Sequence, residues 1–326
     1  MSTVLVVGTG IAGVTAALSL SNSHNVVLCG DREHIYQPGV IDYCTDRVET
    51  ASFDVEKFTD GSDIRFLDGR PEDSGDGYTR VDGQDIEYDI LVSAPRLVSR
   101  EPEFSLEYAL DMYDPGEATD ASETDGSAVV IGAGRRGVET AFMLAEKGCE
   151  VRLIERSTRP LPGYRREVSE ALLARLDSAG VGFSGGKEVK HITNYGLELE
   201  SGEEVEAGTT IWCGGLEYRE NGLDHDKLAR PDTDRNIFRE AEQAGLKAAA
   251  EVQGEEFESR KYGREILRTG SRGTFIGKRT MFDSSILRYI PAVNTRLYRR
   301  RQAKRQGDTA LESVKSALSP LNVMGE

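Results

Sequence analysis

Three glycines, Gly132, Gly134 and Gly137, follow the β-branched run at 129–131 in GxGxxG spacing. In this spacing the first glycine allows a tight turn, the second lets backbone amides approach a pyrophosphate, and the third lets a helix lie close to the preceding strand. A helical segment and a second strand follow, and that strand ends at Glu155, whose carboxylate can accept hydrogen bonds from the hydroxyls of an adenosine ribose. The pattern predicts a dinucleotide site, against the alternative of a glycine-rich turn without a ligand.

A second copy of this pattern stands at the start of the chain. Gly8, Gly10 and Gly13 follow an apolar run typical of a strand, and a helical segment and a second strand come after them. Here the acid is displaced, because Gly30 stands where it is expected and Asp31 is the next residue. Either Asp31 takes the ribose contact or that contact is lost. Two such units in one chain predict two bound dinucleotides.

The composition excludes several classes of protein. Acidic residues number 56 against 40 basic ones, which gives a net charge of −16 and argues against nucleic acid as a partner. The apolar run near the N-terminus lacks a basic leader and is interrupted by glycines, and no segment offers about 20 uninterrupted apolar residues. We therefore expect a cytoplasmic protein that does not span a membrane.

The cysteines and histidines show no metal-ligand spacing. No two cysteines form a CxxC pair, so neither a zinc site nor a dithiol redox centre is predicted, and the histidines are expected at the surface. Cys44 is a candidate redox thiol, with an inert, buried role as the alternative. These residues are Cys29, Cys44, Cys149 and Cys213, together with His24, His34, His191 and His225.

Several further segments carry a resemblance to a known family. The chain resembles the flavoprotein reductases of the pyridine nucleotide-disulfide reductase superfamily, and within them the type II NADH dehydrogenases, which are single-subunit NADH:quinone oxidoreductases. The closer resemblance depends on Tyr36-Gln37-Pro38 and on the helix that contains Glu242-Gln243. The matching segments are "VVGTGIAG", "HIYQPGVIDY", "YDILVSAPR", "VVIGAGRRGVE", "RPLPGYRREVSEAL", "GEEVEAGTTIWCGG", "EAEQAG" and "GSRGTFIGKR".

This resemblance implies an α/β fold with two Rossmann-like dinucleotide-binding domains, in which an NAD(P)H domain is inserted into an FAD domain. The composition places a Pro/Gly/acid-rich linker before the second glycine motif. The expected organisation is a first part of the FAD domain at 1–110, a linker at 111–126, the NAD(P)H domain at 127–213, a shortened return of the FAD domain at 214–290, and a basic C-terminal tail at 291–326.

The same resemblance implies the cofactors FAD and NADH and a set of site residues. Glu139 matches a family position near the nicotinamide, although a first-turn acid favoured by the helix dipole is the alternative. Gln243 is implied to lie near the electron acceptor, and these two are the candidate catalytic residues. The implied cofactor-binding residues are Gly8, Gly10, Gly13, Asp31, Gln37, Pro38 and Ala94 for FAD, and Gly132, Gly134, Gly137, Glu155 and Gly214 for NADH.

Three features on the flavin side depart from the family pattern. Ala94-Pro95-Arg96 replaces the usual Ala-Thr-Gly turn, and Arg239 replaces the first of two glutamines on the late helix. The family also has a late strand that ends in a Gly-Asp pair, whose Asp binds the ribityl chain of the flavin. In this chain we expect that pair to be missing, because the segment from Arg235 runs directly into the helix.

The expected function is hydride transfer from NADH to the flavin, followed by electron transfer to a quinone or another small acceptor. Two alternatives remain open, a nonenzymatic NAD(H)-binding protein with a degenerate flavin site and a soluble reductase of a disulfide or a protein acceptor. The basic run at 295–306 is either a solvated helix face or a peripheral contact with the inner face of the membrane.

Overall fold

Apolar β-branched runs form the central strands of the N-terminal part of the chain, as expected for a sheet covered on both faces. The computed structural model describes residues 1–75, 77–219, 223, 225–230, 237–259, 265–269, 272–276 and 281–284. The first elements are β1 (Thr3–Val7), α1 (Ile11–Leu20), β2 (Asn25–Gly30), β3 (Glu33–Ile35), a short 3-10 helix (Gln37–Gly39), α2 (Val40–Cys44), β4 (Ser52–Asp54), α3 (Val55–Thr59), β5 (Ile64–Asp68), β6 (Pro71–Gly75), β7 (Tyr78–Val81), β8 (Gln84–Glu87), β9 (Ile90–Ser93) and β10 (Arg96–Ser99).

The middle of the chain repeats the order of strand, helix and strand around the second glycine motif. Its elements are β11 (Ala109–Asp111), α4 (Pro115–Ser122), β12 (Ser127–Ile131), α5 (Arg135–Glu146), β13 (Glu150–Glu155), α6 (Arg166–Ser178), β14 (Val181–Gly185), β15 (Val189–Thr193), β16 (Gly196–Leu199), β17 (Glu204–Glu206) and β18 (Thr209–Trp212).

The last described elements return to the first sheet and then add a small antiparallel sheet. They are β19 (Leu216–Arg219), β20 (Lys227–Leu228), α7 (Ile237–Gln253), β21 (Glu265–Thr269), β22 (Arg272–Ile276) and β23 (Met281–Ser284). Within the described ranges no helix is long and apolar enough to cross a membrane. The basic run at 295–306 lies outside the described residues.

Two parallel sheets form the two units. The first has the strand order β20-β9-β1-β2-β5, and the second has the order β11-β18-β12-β13-β14. In each sheet the strand that precedes the glycine motif, β1 or β12, lies between the next strand of its own unit and a strand from later in the chain. Both glycine loops therefore lie at the carboxyl edge of a sheet where the strand order reverses, which is where ligands bind in open α/β sheets.

The segment predicted as a linker contains a packed helix. Asp114 caps α4, because its carboxylate accepts hydrogen bonds from Gly116 N at 2.9 Å and Glu117 N at 3.0 Å. Pro115 follows at the first helical position, where its missing amide hydrogen costs nothing, and Ala118 is fully buried. Composition alone indicated a linker, whereas the Asp-Pro pair is a helix start. The predicted domain limits stay a prediction.

A buried apolar cluster joins the two units. It contains Ile41 from α2, Ala118 from α4, Phe142 from α5 and Leu267 from β21. The segment after β2 thus packs against the second unit, and the small C-terminal sheet contacts both. This packing brings charged side chains from distant parts of the chain to one place.

Candidate functional site

The second glycine loop has the geometry that its spacing predicts. Gly132 has φ +96°, and a Cβ at this position would lie 2.6 Å from the carbonyl oxygen of Cys213. A Cβ on Gly137 would lie 1.8 Å from the carbonyl oxygen of Gly132, so only glycine lets α5 approach the loop. A Cβ on Gly134, in contrast, would meet nothing within 4 Å among the described residues. Two of the glycines are thus required by packing, and the third borders open space.

The first glycine loop has the same geometry. Gly8 has φ +118°, and a Cβ there would lie 2.0 Å from the carbonyl oxygen of Ala94. A Cβ on Gly13 would lie 1.8 Å from the carbonyl oxygen of Gly8, whereas one on Gly10 would contact no atom of the described chain within 4 Å. Ala94 therefore lies beside the loop, and its contact with FAD stays a prediction.

The open space lies at two helix N-termini. Gly10 and Gly134 are the N-cap residues of α1 and α5, and neither helix has a side-chain cap or an acid in its first turn. Backbone amides and the helix dipole at such a terminus favour an anion. Both loops therefore fit the pyrophosphate of a dinucleotide, which is the most charged part of FAD and of NADH.

Glu155 lies beside the second loop, as its position at the end of β13 predicts. Its carboxylate accepts hydrogen bonds from Ala133 N at 2.7 Å and from Ser157 N at 2.8 Å. The side chain is buried against the loop, and its remaining acceptor capacity suits ribose hydroxyls. Gly214 follows β18 under the ring of Trp212, where a Cβ would lie 1.9 Å from Cζ2 of that ring.

The first unit differs at the corresponding position. Strand β2 ends at Gly30, which has φ +152°, and a Cβ there would lie 2.8 Å from Cγ2 of Thr9. The Thr9 hydroxyl donates to the carbonyl oxygen of Asp31 at 2.8 Å. Thr9 thus occupies the space that an acid at position 30 would need. The carboxylate of Asp31 is paired with Arg70 at 3.0 Å and with Arg96 at 3.5 Å, so its contact with a ribose stays a prediction.

His34 is buried, so its expected surface position is wrong. Its ring is 3% exposed and stacks on Phe53, and Nδ1 lies 2.7 Å from the carbonyl oxygen of Thr9. A carbonyl can only accept a hydrogen bond, so Nδ1 carries the proton. Burial lowers the pKa of His34 to about 4, with the hydrogen bond to Thr9 acting in the opposite direction. The histidine supports the first glycine loop as a neutral ring.

This burial predicts a pH-dependent stability. Since the pKa of His34 is about 4 in the folded chain and 6.5 is its ordinary value, the unfolded chain binds the proton first. The His34 contribution is complete above pH 6.5, and it decreases by roughly 1.4 kcal/mol per pH unit as the pH falls toward 4. Urea unfolding at several pH values measures the free energy of unfolding. Its change with pH should be smaller for His34→Gln than for the wild type, with the partly exposed His191→Gln as control. Equal changes for wild type and His34→Gln would contradict this assignment.

Gln37 and Arg136 connect the two units. Arg136 donates through Nη2 to the backbone oxygen of Gln37 at 2.6 Å and to Oε1 of its side chain at 3.1 Å. The Gln37 amide in turn donates to the backbone oxygen of Tyr113 at 2.7 Å, and the Arg136 guanidinium lies 5.3 Å from the centre of the Tyr113 ring. The predicted flavin-side loop of Gln37 and Pro38 is thereby held against the start of α5.

A buried ion cluster adjoins this contact. Arg268 on β21 donates through Nη1 to Glu139 at 3.0 Å and through Nε to Asp42 at 2.9 Å, and its Nη2 donates to Asp42 and, at 3.2 Å, to the backbone oxygen of Pro38. All three charged side chains are almost completely buried. Glu139, expected near the nicotinamide, therefore lies at the junction of the two units.

Sequence reasoning missed Asp42 and Arg268. The signal for Asp42 was a single acid inside the apolar segment "VIDYC" of α2, since a buried acid requires a partner. Arg268 gave no comparable local signal, because its partners lie 129 and 226 positions away in the chain.

The late strand expected from Arg235 begins outside the described residues. Upstream of it, strand β20 at Lys227–Leu228 pairs in parallel with β9, and Ala229 N donates to Ser93 O at 2.7 Å. The absence of the family's Gly-Asp pair stays a prediction. Residues 231–236, and the side chain of Arg239, lie outside what the structure describes.

The surroundings of Cys44 bear on its predicted redox role. The Cys44 thiol is buried and donates to the backbone oxygen of Ala118 at 3.3 Å, and burial raises its pKa to about 11. A thiol in this state is a weak nucleophile at neutral pH, which favours the inert alternative.

Gln243 is buried on α7, within 3.5 Å of Ser259 and 3.4 Å of Glu240, and its role near an acceptor stays a prediction. Over the described residues no group of His, Cys, Asp and Glu could hold a metal ion.

Comparison with known proteins places this geometry in a family. Residues 2–244 match the pyridine nucleotide-disulphide oxidoreductase family. The chain is 24% identical over 198 residues to the dihydrolipoyl dehydrogenase of Halobacterium salinarum, a match that covers 58% of this chain. The same match spans 39% of that protein's length, which is well under half of it.

Two solved structures share the fold over most of the chain. The sulfide:quinone oxidoreductase of Aquifex aeolicus has a TM-score of 0.76 at 14% identity, covering 98% of this chain and 95% of that chain. NDH2 from Plasmodium falciparum, solved in complex with NADH, has a TM-score of 0.75 at 11% identity, covering 98% of this chain and 97% of that chain. The predicted α/β fold with two dinucleotide-binding units is thereby confirmed. With its match over residues 2–244, the chain belongs to the pyridine nucleotide-disulphide oxidoreductase family, whose cofactors are FAD and NAD(P)H.

Proposed function

We propose that this chain binds FAD in its first unit and NADH in its second, and that it passes electrons from NADH to a small acceptor of the quinone type. The main support is the pair of glycine loops with matching geometry, in which Gly10 and Gly134 border open space at the start of α1 and α5. Each loop directs the amides of a helix N-terminus toward one pyrophosphate. The ion cluster of Asp42, Glu139 and Arg268 lies between the two units, where the reactive rings of two such cofactors would meet.

The chemistry of this reaction comes mainly from the cofactors, since bound FAD accepts a hydride from the nicotinamide ring. The chain contributes binding and orientation. Glu155 would hold the adenosine ribose of NADH, and Gln37, fixed by Arg136, would border the flavin. Hydride transfer between the two cofactors needs no side-chain nucleophile, which agrees with the burial of the Cys44 thiol.

The quinone-type acceptor is supported by two observations. The protonated, buried Cys44 does not suit a thiol-disulfide exchange, which makes a disulfide acceptor a poor fit. One of the solved structures that share the fold over most of the chain is a sulfide:quinone oxidoreductase. A protein acceptor is the alternative for the same two-cofactor arrangement. A cytoplasmic location and a peripheral membrane contact through 295–306 stay predictions.

A second candidate function has its own observation. Thr9 fills the space beside Gly30 that a ribose-binding acid would need, and Pro95 replaces the threonine of the usual turn. These departures favour a nonenzymatic NAD(H)-binding protein in which the first unit no longer holds flavin.

One experiment separates the two functions. The purified protein is examined by visible absorption with and without added FAD, and is then mixed anaerobically with NADH and a water-soluble quinone. We expect a flavin spectrum that NADH bleaches and the quinone restores. A colourless protein that takes up no FAD but still binds NADH would support the nonenzymatic function instead.

Coenzyme choice provides a separate prediction. The Glu155 carboxylate accepts hydrogen bonds from ribose hydroxyls and repels the 2'-phosphate of NADPH, so we expect NADH to bind at least about tenfold more tightly than NADPH. Arg156, which is exposed beside it, could neutralise that phosphate and reduce the preference. Titrations of both coenzymes into wild type, Glu155→Ala and Arg156→Ala measure the two effects. Equal affinity for both coenzymes, unchanged in Glu155→Ala, would contradict the role of Glu155.

A further inference from the structure

The ion cluster contains more carboxylate contacts than a simple salt bridge. Oε1 of Glu139 accepts a hydrogen bond from the backbone N of Arg268 at 3.1 Å and forms an ion pair with Nη2 of Arg135 at 3.3 Å, and Oε2 accepts a hydrogen bond from Nη1 of Arg268 at 3.0 Å. Two hydrogen bonds and one ion pair thus fix the direction of this carboxylate. Burial on its own would raise the pKa of Glu139, but Arg135 and Arg268 together hold it below its usual range. Glu139 is therefore an oriented anion at neutral pH.

Arg268 links the Glu139 carboxylate of the second unit to the first unit. The same guanidinium that contacts Glu139 on α5 forms a two-point ion pair with Asp42 on α2 and donates to the backbone oxygen of Pro38. A planar guanidinium can serve these three acceptors at once because its donors lie on three separate nitrogens, whereas the three donors of a lysine ammonium share one nitrogen. The arginine comes from β21, which belongs to neither glycine motif.

We propose that Arg268 is the positioning residue for NADH, an inference that rests on the proposed function. Arg268 orients the Glu139 carboxylate toward the nicotinamide end of the second unit. It also fixes this carboxylate relative to the flavin-side loop at Pro38. Arg268 does not touch substrate in this role. It acts through Glu139, so removing either residue should have nearly the same consequence.

A double-mutant cycle tests this dependence. We expect Arg268→Gln to weaken NADH binding about tenfold and to slow flavin reduction by NADH about 100-fold, because misplacement of a positioning group by about 1 Å has an effect of this order. Glu139→Gln should show similar losses. The variant with both changes should be no worse than either single variant, since both act on one contact. Arg268→Lys should recover part of the loss, and the exposed Arg166→Gln should behave as wild type.

The pH profile separates positioning from a general structural role. In Arg268→Gln the only side chains that still lower the pKa of Glu139 are those of Arg135 and Arg136, so this pKa should rise and protonation of Glu139 should weaken NADH binding as the pH falls from 8 to 5. The wild type and the doubly changed variant should show no such dependence. Binding is measured by NADH fluorescence and does not require flavin. If Arg268→Gln does not fold by circular dichroism, Arg268→Lys takes its place in the cycle.

The outcomes separate this inference from the proposed function. If the losses of NADH affinity in the two single variants multiply in the double variant, the role of Arg268 is overturned, even if the protein oxidises NADH. An equal pH dependence of NADH binding in all variants would overturn it as well. If no NADH-dependent flavin reduction occurs but the binding cycle is non-additive as expected, the proposed function fails and the role of Arg268 stands. A wild type that does not bind NADH would overturn both.

Discussion

Gly134→Val is expected to reduce NADH affinity at least about 100-fold while leaving the fold and the FAD content unchanged. Gly134 has φ −70° and ψ −174°, an extended conformation that valine adopts readily, and a Cβ there would meet no atom of the described chain within 4 Å. The added methyl groups would instead occupy the space assigned to the pyrophosphate. Losing two or three hydrogen bonds of about 1 kcal/mol each, together with direct steric exclusion, gives an effect of this size.

Gly10→Val is the matched variant in the first unit. Gly10 has φ −70° and ψ 179°, so its backbone accepts valine equally well, and the expected result is loss of flavin with NADH binding retained. Visible absorption reports the flavin, fluorescence titration reports NADH, and circular dichroism confirms that each variant is folded. If Gly134→Val binds NADH as tightly as the wild type, the pyrophosphate does not lie in the second loop. If Gly10→Val retains flavin, the pyrophosphate of FAD does not lie in the first loop.

The second large effect is on stability. Asp42→Asn is expected to lower the free energy of unfolding by about 3 kcal/mol, because removing one charge from a buried ion pair leaves its partner uncompensated. Asp42 is completely buried, and its two oxygens face Nε and Nη2 of Arg268. In a chain of this size the loss corresponds to a melting temperature lower by roughly 4 °C. Thermal unfolding followed by circular dichroism measures it.

The control for this variant is an ion pair of similar geometry at the surface. Asp85 accepts a hydrogen bond from Nε of Arg80 at 2.8 Å, and both side chains are about half exposed. Asp85→Asn should change the free energy of unfolding by less than about 1 kcal/mol, since exposed pairs contribute little. Equal melting temperatures for the two variants would show that the Asp42 contact with Arg268 contributes no more than a surface pair.

The family, the fold and the two cofactor loops could be predicted from the sequence because their requirements are local. In each loop the third glycine must lack a Cβ to avoid the carbonyl oxygen of the first, five positions earlier, and this steric demand appears directly in the GxGxxG spacing. The same holds for Glu155, which ends the strand next to its loop. Local spacing, however, does not test the ligands themselves, so the individual site residues stay predictions.

Only the tertiary structure decided which side chains are buried together. Sequence patterns cannot assign Cys44 and His34 to the surface or the interior, and burial raises the pKa of Cys44 and lowers the pKa of His34. Arg268 meets Asp42 and Glu139 across 226 and 129 positions of chain, and Thr9 fills the space beside Gly30 through a contact between loop and strand. Such contacts depend on how separate elements pack, because an ion pair or a close approach between distant residues leaves no periodicity or spacing in the chain.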